Sequence, residues 1–149
     1  MVVTELYQEI FHVLANDADI LDYLGIEDTL APEEANPALA AHIQKRSRPQ
    51  DLAENLPIIA FYAAPGSRES ENMLVYRSPF IFDIYTSDDV SLGQTIAERI
   101  DELFGGQINP WEHVENFQSE TVTAHERIVD LANVYCFTVV IEMSIALEK

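Results

Sequence analysis

Apolar residues in the first 25 positions recur three to four residues apart, which is the spacing of one helix face. A first helix is predicted over Thr4–Leu14, with Thr4 as its cap. A short second helix is predicted after Asn16-Asp17, and Gly25 stands where a left-handed residue ends a helix. The inward-facing residues of the two helices are Leu6, Ile10, Val13, Leu14, Ile20, Leu21 and Leu24.

Residues 26–55 have the least regular pattern in the chain. A third helix is predicted to begin at Pro32 or at Pro37 and to run through Ile43, because proline is tolerated in the first turn of a helix. The stretch Lys45-Arg46-Ser47-Arg48-Pro49 follows it and holds three of the eight Lys and Arg residues. We expect this stretch to be an exposed loop or arm.

After residue 56 the pattern becomes that of strands. Pro57–Ala63 is a short apolar run, and Met73–Tyr85 alternates between an apolar and a polar face. Residues 66–72 lie between them and predict a polar turn. Pro79 cannot donate a ladder hydrogen bond, so we expect an edge position or a bulge there.

A clear amphipathic helix is predicted over Ser87–Phe104, where Gly105-Gly106 ends it. Ser87 or Ser91 is the expected cap, since Ser91 has Gln94 at capping-box spacing. The apolar stripe consists of Leu92, Ile96, Ile100, Leu103 and Phe104. The polar face, which should meet water or a partner, carries Glu98, Arg99, Asp101 and Glu102.

Two further strands are predicted over Val114–Thr123 and Asn133–Leu147. The second has 15 residues and would reach roughly 50 Å, more than the width of roughly 40 Å expected for a domain of this size. It must therefore bend at a bulge or project. A projecting strand would offer an unpaired edge to a neighbouring subunit.

These elements predict a single α+β domain over residues 1–149. The N-terminal helices come first, followed by an antiparallel sheet of about four strands with the 87–104 helix packed across one face. A chain of 149 residues, 48% of them apolar, suits one hydrophobic core. No internal repeat or linker divides it.

The composition narrows the classes of protein that the chain can represent. It has 26 Asp and Glu against 8 Lys and Arg, a net charge of −18, which argues against a free surface built to hold nucleic acid. The one cysteine, Cys136, excludes an internal disulfide and is expected to be a buried, inert thiol. We expect neither a membrane span nor a signal peptide, because the chain has no long apolar run and no basic N-terminal region.

Candidate catalytic and metal sites are weak. The four histidines are His12, His42, His113 and His125, and none is paired at metal-ligand spacing. Carboxylates are too frequent to mark an acid–base pair, and Asp88-Asp89 suits the start of a helix. The sequence therefore predicts no enzyme, cofactor or metal ion.

The charge layout is the unusual feature. Acids are spread along the chain, whereas basic residues concentrate in one short stretch. One interpretation is a solvated acidic surface with an ordinary basic loop. The other is self-complementarity, in which the basic stretch of one copy meets an acidic face of the next. The interface candidates are Lys45, Arg46, Arg48, Asp88, Asp89, Glu98, Asp101 and Glu102.

The order of these elements resembles the phage tail-terminator, or tail-completion, family of long non-contractile tails. The similar segments are the helix Thr4–Leu14, the Asp/Ala-rich helix from Asn16 to Gly25, the strand Leu56-Pro57-Ile58-Ile59-Ala60-Phe61-Tyr62, the strand and cap Phe80–Asp89, the helix Leu92–Phe104 and the final strand Asn133–Leu147. Residues 26–55 look longer than usual for that family and form an insert or arm.

The resemblance implies a structural virion protein, assembled in the host cytoplasm. It implies a homo-oligomeric ring, typically a hexamer, that caps the tail tube and joins it to the head-side connector. Its partners would be copies of itself, the tail tube protein and the connector protein, with no membrane. Double-stranded DNA would pass through the lumen without specific binding, and an acidic lumen suits that passage.

Other interpretations remain open on the sequence alone. A connector or neck protein of the head side would also form a ring. An acidic binding module could mimic nucleic acid, because carboxylates spaced like phosphates would block a basic protein. A small hydrolase has no motif in its favour.

Overall fold

The computed structural model describes residues 2–27, 32–71, 73–111 and 114–147. It confirms the α+β class. The helices are α1 (Val2–Ala15), α2 (Ala18–Tyr23), α3 (Pro32–His42) and α4 (Val90–Phe104). The strands are β1 (Ile43–Gln44), β2 (Ile58–Ala63), β3 (Ser67–Arg68), β4 (Val75–Thr86), β5 (Asn109–Pro110), β6 (Glu115–Arg127) and β7 (Tyr135–Ala146).

The strands form one sheet in the order β1-β2-β4-β7-β6-β5, and β3 pairs with β4 beside this path. The four long strands β2, β4, β7 and β6 are antiparallel, as predicted, and β1 joins β2 in parallel. The three two-residue strands were not predicted, and β3 lies in the segment expected to be a turn. Two residues are too few to show an alternating pattern.

The main core lies between one face of the sheet and the helices. From α1 it receives the fully buried Leu6, Ile10 and Leu14. Phe82 of β4 stacks on Phe104 of α4 with the ring centroids 5.5 Å apart. The contacts of α4 with β4, β6 and β7 place this helix across the middle of the sheet.

A smaller cluster covers the opposite face. Its buried members are Ile58, Ala60, Tyr85 and Cys136. Leu52 and Leu56 pack on it from the segment before β2, while Val129 and Val134 pack on it from the β6–β7 connection. Cys136 is 1% exposed, which confirms the predicted buried thiol, and burial raises its pKa.

An aspartate side chain caps both α2 and α4, but only the cap of α2 was predicted. Asp17 caps α2 by accepting a 3.0 Å hydrogen bond from the Ile20 N–H, and Gly25 has a φ of +72°, both as predicted. The predicted serine caps of α4 are wrong. The cap is Asp89, whose carboxylate accepts a 3.0 Å hydrogen bond from the Leu92 N–H.

Pro79 pairs with Glu142 of β7 on one side and faces the gap between β2 and β3 on the other, so the expected edge position holds locally, and the pairing with β7 shows no bulge there. The Ala64 N–H donates to the Pro79 carbonyl, which shows that the backbone polar groups of Pro79 point toward the β2 side. β2 has already ended at Ala63 there, and β3 begins only at Ser67. No ladder partner therefore needs the N–H that proline lacks.

The final strand, β7, has 12 residues and not the predicted 15, and the bulge expected in it lies instead in the neighbouring strand β6. β7 pairs with β4 without interruption from Tyr135 to Ala146. The register shifts occur in β6, between Asn116 and Gln118 and between Thr121 and Thr123. Bulges increase the local twist of a strand, so β6 can follow β7 around the core.

None of the helices in the described ranges is both long enough and apolar enough to span a bilayer.

Candidate interaction surfaces

The basic loop, Lys45–Arg48, follows β1 at one edge of the sheet. Its four residues are exposed, as predicted. Gln44, only 6% exposed, holds both ends of the loop. Its amide nitrogen donates to the carbonyls of Ala41 at 2.9 Å and Gln50 at 3.0 Å, and its oxygen accepts from the Gln50 N–H at 2.7 Å. The loop is therefore short and fixed at its base.

The two arginines of the basic loop are exposed and have no side-chain partner in the part of the chain that the structure describes. Within the described residues, the side chains of Arg46 and Arg48 make no ion pair or hydrogen bond, although the chain contains 26 acids. Lys45 places its ammonium 5.1 Å from the centroid of the Phe11 ring. Both guanidinium groups are thus available to an external anionic partner.

Three arginines outside the basic loop do form ion pairs. They are Arg77, Arg99 and Arg127, and each binds a carboxylate of its own chain. Arg99 was expected to face water or a partner; its side chain is 26% exposed, and it binds carboxylates of its own chain. It joins α4 to Asp17, with its Nη2 and Nε atoms 2.6 and 3.0 Å from the two carboxylate oxygens. The hydrogen bond from Arg99 lowers the pKa of Asp17.

The five acidic interface candidates fall into two groups. Three have partners in their own chain: Asp89 caps α4, Asp101 accepts a hydrogen bond from the Thr121 hydroxyl, and Glu102 pairs with Arg99 at 2.8 Å. Asp88, at a φ of +54°, and Glu98 are exposed, and their side chains make no contact of this kind in the described part of the chain. The structure gathers Glu98, Asp101 and Glu102 on α4, away from the N-terminal pair.

A groove of about 380 Å³, here called the α4–β6 groove, runs between α4 and the strands β6 and β7. Its lining residues are Gln94, Ala97, Glu98, Asp101, Thr121, Ala124, Phe137 and Val139. The small side chains of Ala97 and Ala124 leave its apolar floor open. Glu98 and Asp101 are exposed at its rim, so the groove combines an apolar floor with carboxylates.

The outer edge of β6 is largely unpaired. β5 pairs only with Glu115 and Asn116, so the edge from Phe117 to Arg127 has no strand partner among the described residues. Val122 is 54% exposed on this strand, and Ile128, just beyond it, is 97% exposed. A long open edge with exposed apolar side chains is typical of a surface that pairs with another chain.

An ionic network centred on the buried Asp83 lies on the second face of the sheet. Asp83 is 0% exposed and accepts hydrogen bonds from Thr138 Oγ1 at 2.6 Å and from the Tyr62 hydroxyl at 3.1 Å. Arg127 Nη2 lies 3.2 Å from the same carboxylate and also donates to the Tyr85 hydroxyl. Burial and the negative Asp83 raise the pKa of Tyr62 to about 12. The network joins β2, β4, β7 and β6.

The histidines do not form a metal site in the part of the chain that is described. His42 places its Nδ1 atom 2.8 Å from the Pro57 carbonyl, which attaches the end of α3 to the start of β2. His113 lies outside the described residues. Among the described residues, no three His, Cys, Asp or Glu side chains are grouped closely enough to hold a metal ion.

Sequence reasoning missed the groove, the Asp17–Arg99 pair and the Asp83 network. Asp17 and Arg99 are 82 positions apart, so no local pattern connects them. The groove depends on small residues from two different elements, which look ordinary in their own segments. Asp83, alone among apolar neighbours in a strand, was the one available signal of a buried polar group.

No protein-family model matches the chain, and no curated protein is significantly similar to it. Its fold is nevertheless found in a solved structure described as the virion of a native gene transfer agent particle. The similarity covers 92% of this chain and 91% of that one, with a TM-score of 0.62 and 12% identity. The two chains share a fold over nearly their whole lengths.

Proposed function

We propose that the protein is a non-enzymatic structural component of a virion. Its copies form a ring, typically of six, that caps the tail tube and joins it to the head-side connector. The observation that carries this proposal is the fold similarity to a chain of a gene transfer agent virion particle. Because the similarity covers 92% and 91% of the two chains, it concerns the whole fold and not one motif.

The order of elements supports the proposal that the protein forms a ring that caps the tail tube. The α1–α2 pair, the four long antiparallel strands and α4 occur where the tail-terminator resemblance requires them. The two sheet edges, one beside the basic loop and one along β6, give each copy two surfaces for neighbours. A protein with two different edges suits head-to-tail contacts, which close into a ring when the rotation allows.

The net charge of −18 supports a lumen through which DNA passes without specific binding. Carboxylates repel phosphates, and binding of duplex DNA depends on Lys and Arg that displace counterions. Replacing lumen-facing acids by lysine in an assembled particle should therefore slow DNA passage. Unchanged ejection kinetics would contradict this part of the proposal.

Purified protein incubated with tail tubes, followed by negative-stain microscopy, tests the proposal directly. We expect a ring at one tip of each tube and an arrest of tube growth at that tip. Native mass spectrometry should give a closed oligomer, with six copies expected. Tubes that keep growing and carry no density at either tip would contradict the proposal.

Two other functions are candidates, and binding experiments with the purified protein distinguish them from a tail terminator. A head-side connector or neck protein fits the virion-particle similarity equally well, and it would bind the portal side and leave tube tips bare. An acidic module that mimics nucleic acid is favoured by the charge of −18. Tight, salt-sensitive binding to a DNA-binding enzyme would support that module, although the exposed Arg46 and Arg48 fit it poorly.

A further inference from the structure

We propose that the α4–β6 groove of one copy receives the basic loop of the next copy, with Arg46 and Arg48 facing Glu98 and Asp101. This inference rests on the proposed ring and identifies the surfaces that build it. The occupant is a second copy of this chain, and the contact is head-to-tail.

The groove and the loop have complementary chemistry. An arginine has an aliphatic stem and a charged planar head, so it can lie along an apolar floor and reach a carboxylate at the rim. The floor residues Phe137 and Val139 and the rim acids Glu98 and Asp101 provide that combination. The volume of about 380 Å³ is at the lower end of the range for sites that enclose a small ligand, so it suits side chains of a short loop.

The sheet order prevents this contact within one copy. The loop follows β1 at one edge, whereas the groove lies over β7 and β6, on the other side of β4 from β1. β1 and β6 are four strand positions apart, about 19 Å at the usual strand spacing. A head-to-tail neighbour removes this separation, because it brings the β1 edge of one copy beside the β6 edge of the next.

The register places the two surfaces at the same height along the strands. A continuous row of paired residues crosses the sheet and consists of Gln44, Ala60, Asp83, Thr138 and His125. The basic loop begins immediately after Gln44, and the groove residues Phe137, Val139 and Ala124 adjoin the other end of the row. Neighbours related by rotation alone, without a shift along the strands, therefore bring loop and groove together. The same contact covers the open edge of β6.

Disulfide trapping tests the contact. Chains carrying Arg46→Cys are mixed with chains carrying Glu98→Cys. The mixture is oxidised once in the absence of tail tubes and once in their presence. We expect a covalent dimer from the mixture and none from either variant by itself. Cys136 remains in place because it is buried.

The matched control is Asp130→Cys mixed with Glu98→Cys. Asp130 is exposed in the β6–β7 connection, and Glu98 lies over the same two strands, so a contact that brings the β1 side of one copy to the β6 side of the next keeps these two positions apart. Dimers from Glu98→Cys alone or from the control mixture would mean that like edges meet, and would overturn the proposal.

Charge reversal provides a second measurement. Arg46→Glu or Glu98→Lys alone should raise the concentration needed for half-assembly on the order of tenfold or more, and the two together should restore it. Arg68→Glu, an equal charge change on exposed β3, should leave it unchanged. Neither Arg46 nor Glu98 has a side-chain partner among the described residues, so Tm should stay constant. Assembly that is indifferent to both single reversals would overturn the proposal.

The outcomes separate this inference from the proposed function. Rings on tube tips without a 46–98 disulfide would leave the function standing and overturn the contact. A 46–98 disulfide in dimers or open filaments that never cap a tube would support the contact and contradict the function. A chain that stays monomeric and forms no disulfide under either condition contradicts both.

Discussion

Two ion pairs fix the positions of elements that are distant in sequence. Arg99 binds Asp17 and so attaches α4 to the cap of α2. Arg127 neutralises Asp83, which has no access to water. The sequence shows these residues but not their partners, because pairing over 82 and 44 positions depends on the tertiary fold. Their stability effects can be measured one residue at a time.

The Asp17 carboxylate makes stability depend on acid pH. Its pKa in the folded chain lies below the ordinary value of 3.8, so the unfolded state binds the proton more tightly. The stabilisation is complete above that ordinary value and is lost as pH falls through the folded pKa. Asp17→Ala should lower the free energy of unfolding at pH 7 by about 1–2 kcal/mol, since it also removes a helix cap.

Denaturant titrations of both chains between pH 2 and pH 7 check this prediction. The difference between wild type and Asp17→Ala should shrink toward low pH. Asp22→Ala is the control, because Asp22 is exposed on the same helix and its side chain has no described partner. A difference that stays constant with pH would contradict the assigned role of Asp17.

Arg127→Met should be strongly destabilising because it leaves the Asp83 charge buried without a counter-charge. We expect a loss of about 2–3 kcal/mol, less than for a fully buried pair since Arg127 is partly exposed. The double variant Asp83→Asn/Arg127→Met removes the charge as well and should recover part of the loss. Chemical denaturation of Arg127→Met, of Asp83→Asn and of the double variant measures the coupling, and strict additivity would contradict it.

Tyr62 makes stability depend on alkaline pH. Its pKa is raised to about 12, so the folded state holds the phenolic proton more tightly than the unfolded state does. This stabilisation is complete below pH 10 and is lost as pH rises toward 12. Absorbance titration should show a phenol in wild type that ionises near pH 12 and is missing in Tyr62→Phe.

At the scale of elements, the sequence predicted the helices and strands that are long enough to show a periodic pattern of apolar residues. The helices α1, α2 and α4 and the four long strands have stripes or alternation, and the structure contains all of them. The two-residue strands have no readable pattern, and the gap that Pro79 faces depends on where β2 ends. The cap of α4 was missed because Ser87, Asp89 and Ser91 all have capping side chains, and only the backbone shows which one is used.

The α4 cap can be tested by substitution. Asp89→Ala should cost about 1 kcal/mol, whereas Asp89→Ser should recover most of it. Ser91→Ala should change the free energy of unfolding by less than about 0.5 kcal/mol, because Ser91 lies inside the helix. The reverse ranking in thermal denaturation would mean that Ser91 caps the helix.

At the scale of the whole molecule, the fold class was predictable and the surfaces were predictable only in part. The sequence indicated an exposed basic stretch and an acidic α4, but it could not show that Asp89, Asp101 and Glu102 already have partners. It also could not show the α4–β6 groove, which requires Ala97 and Ala124 from two elements to line the same space.

The open β6 edge gives a prediction at this scale. Val122→Lys places a charge on an exposed side chain, so the free energy of unfolding should change by no more than about 0.5 kcal/mol. Assembly should weaken, because the new lysine would face the basic loop of a neighbour. Met73→Lys, on an exposed side chain distant from β6 in the chain, is the control. Light scattering that finds no difference between the two variants would contradict a role for this edge.

The Gln44 amide has a kinetic consequence. By bonding to Ala41 and Gln50 it removes backbone freedom from residues 45–49 before any encounter with another molecule. A segment that is ordered in advance loses little conformational entropy on association. Joining of subunits should then be limited by diffusion and orientation, and Gln44→Ala should slow the on-rate while leaving the arginines in place.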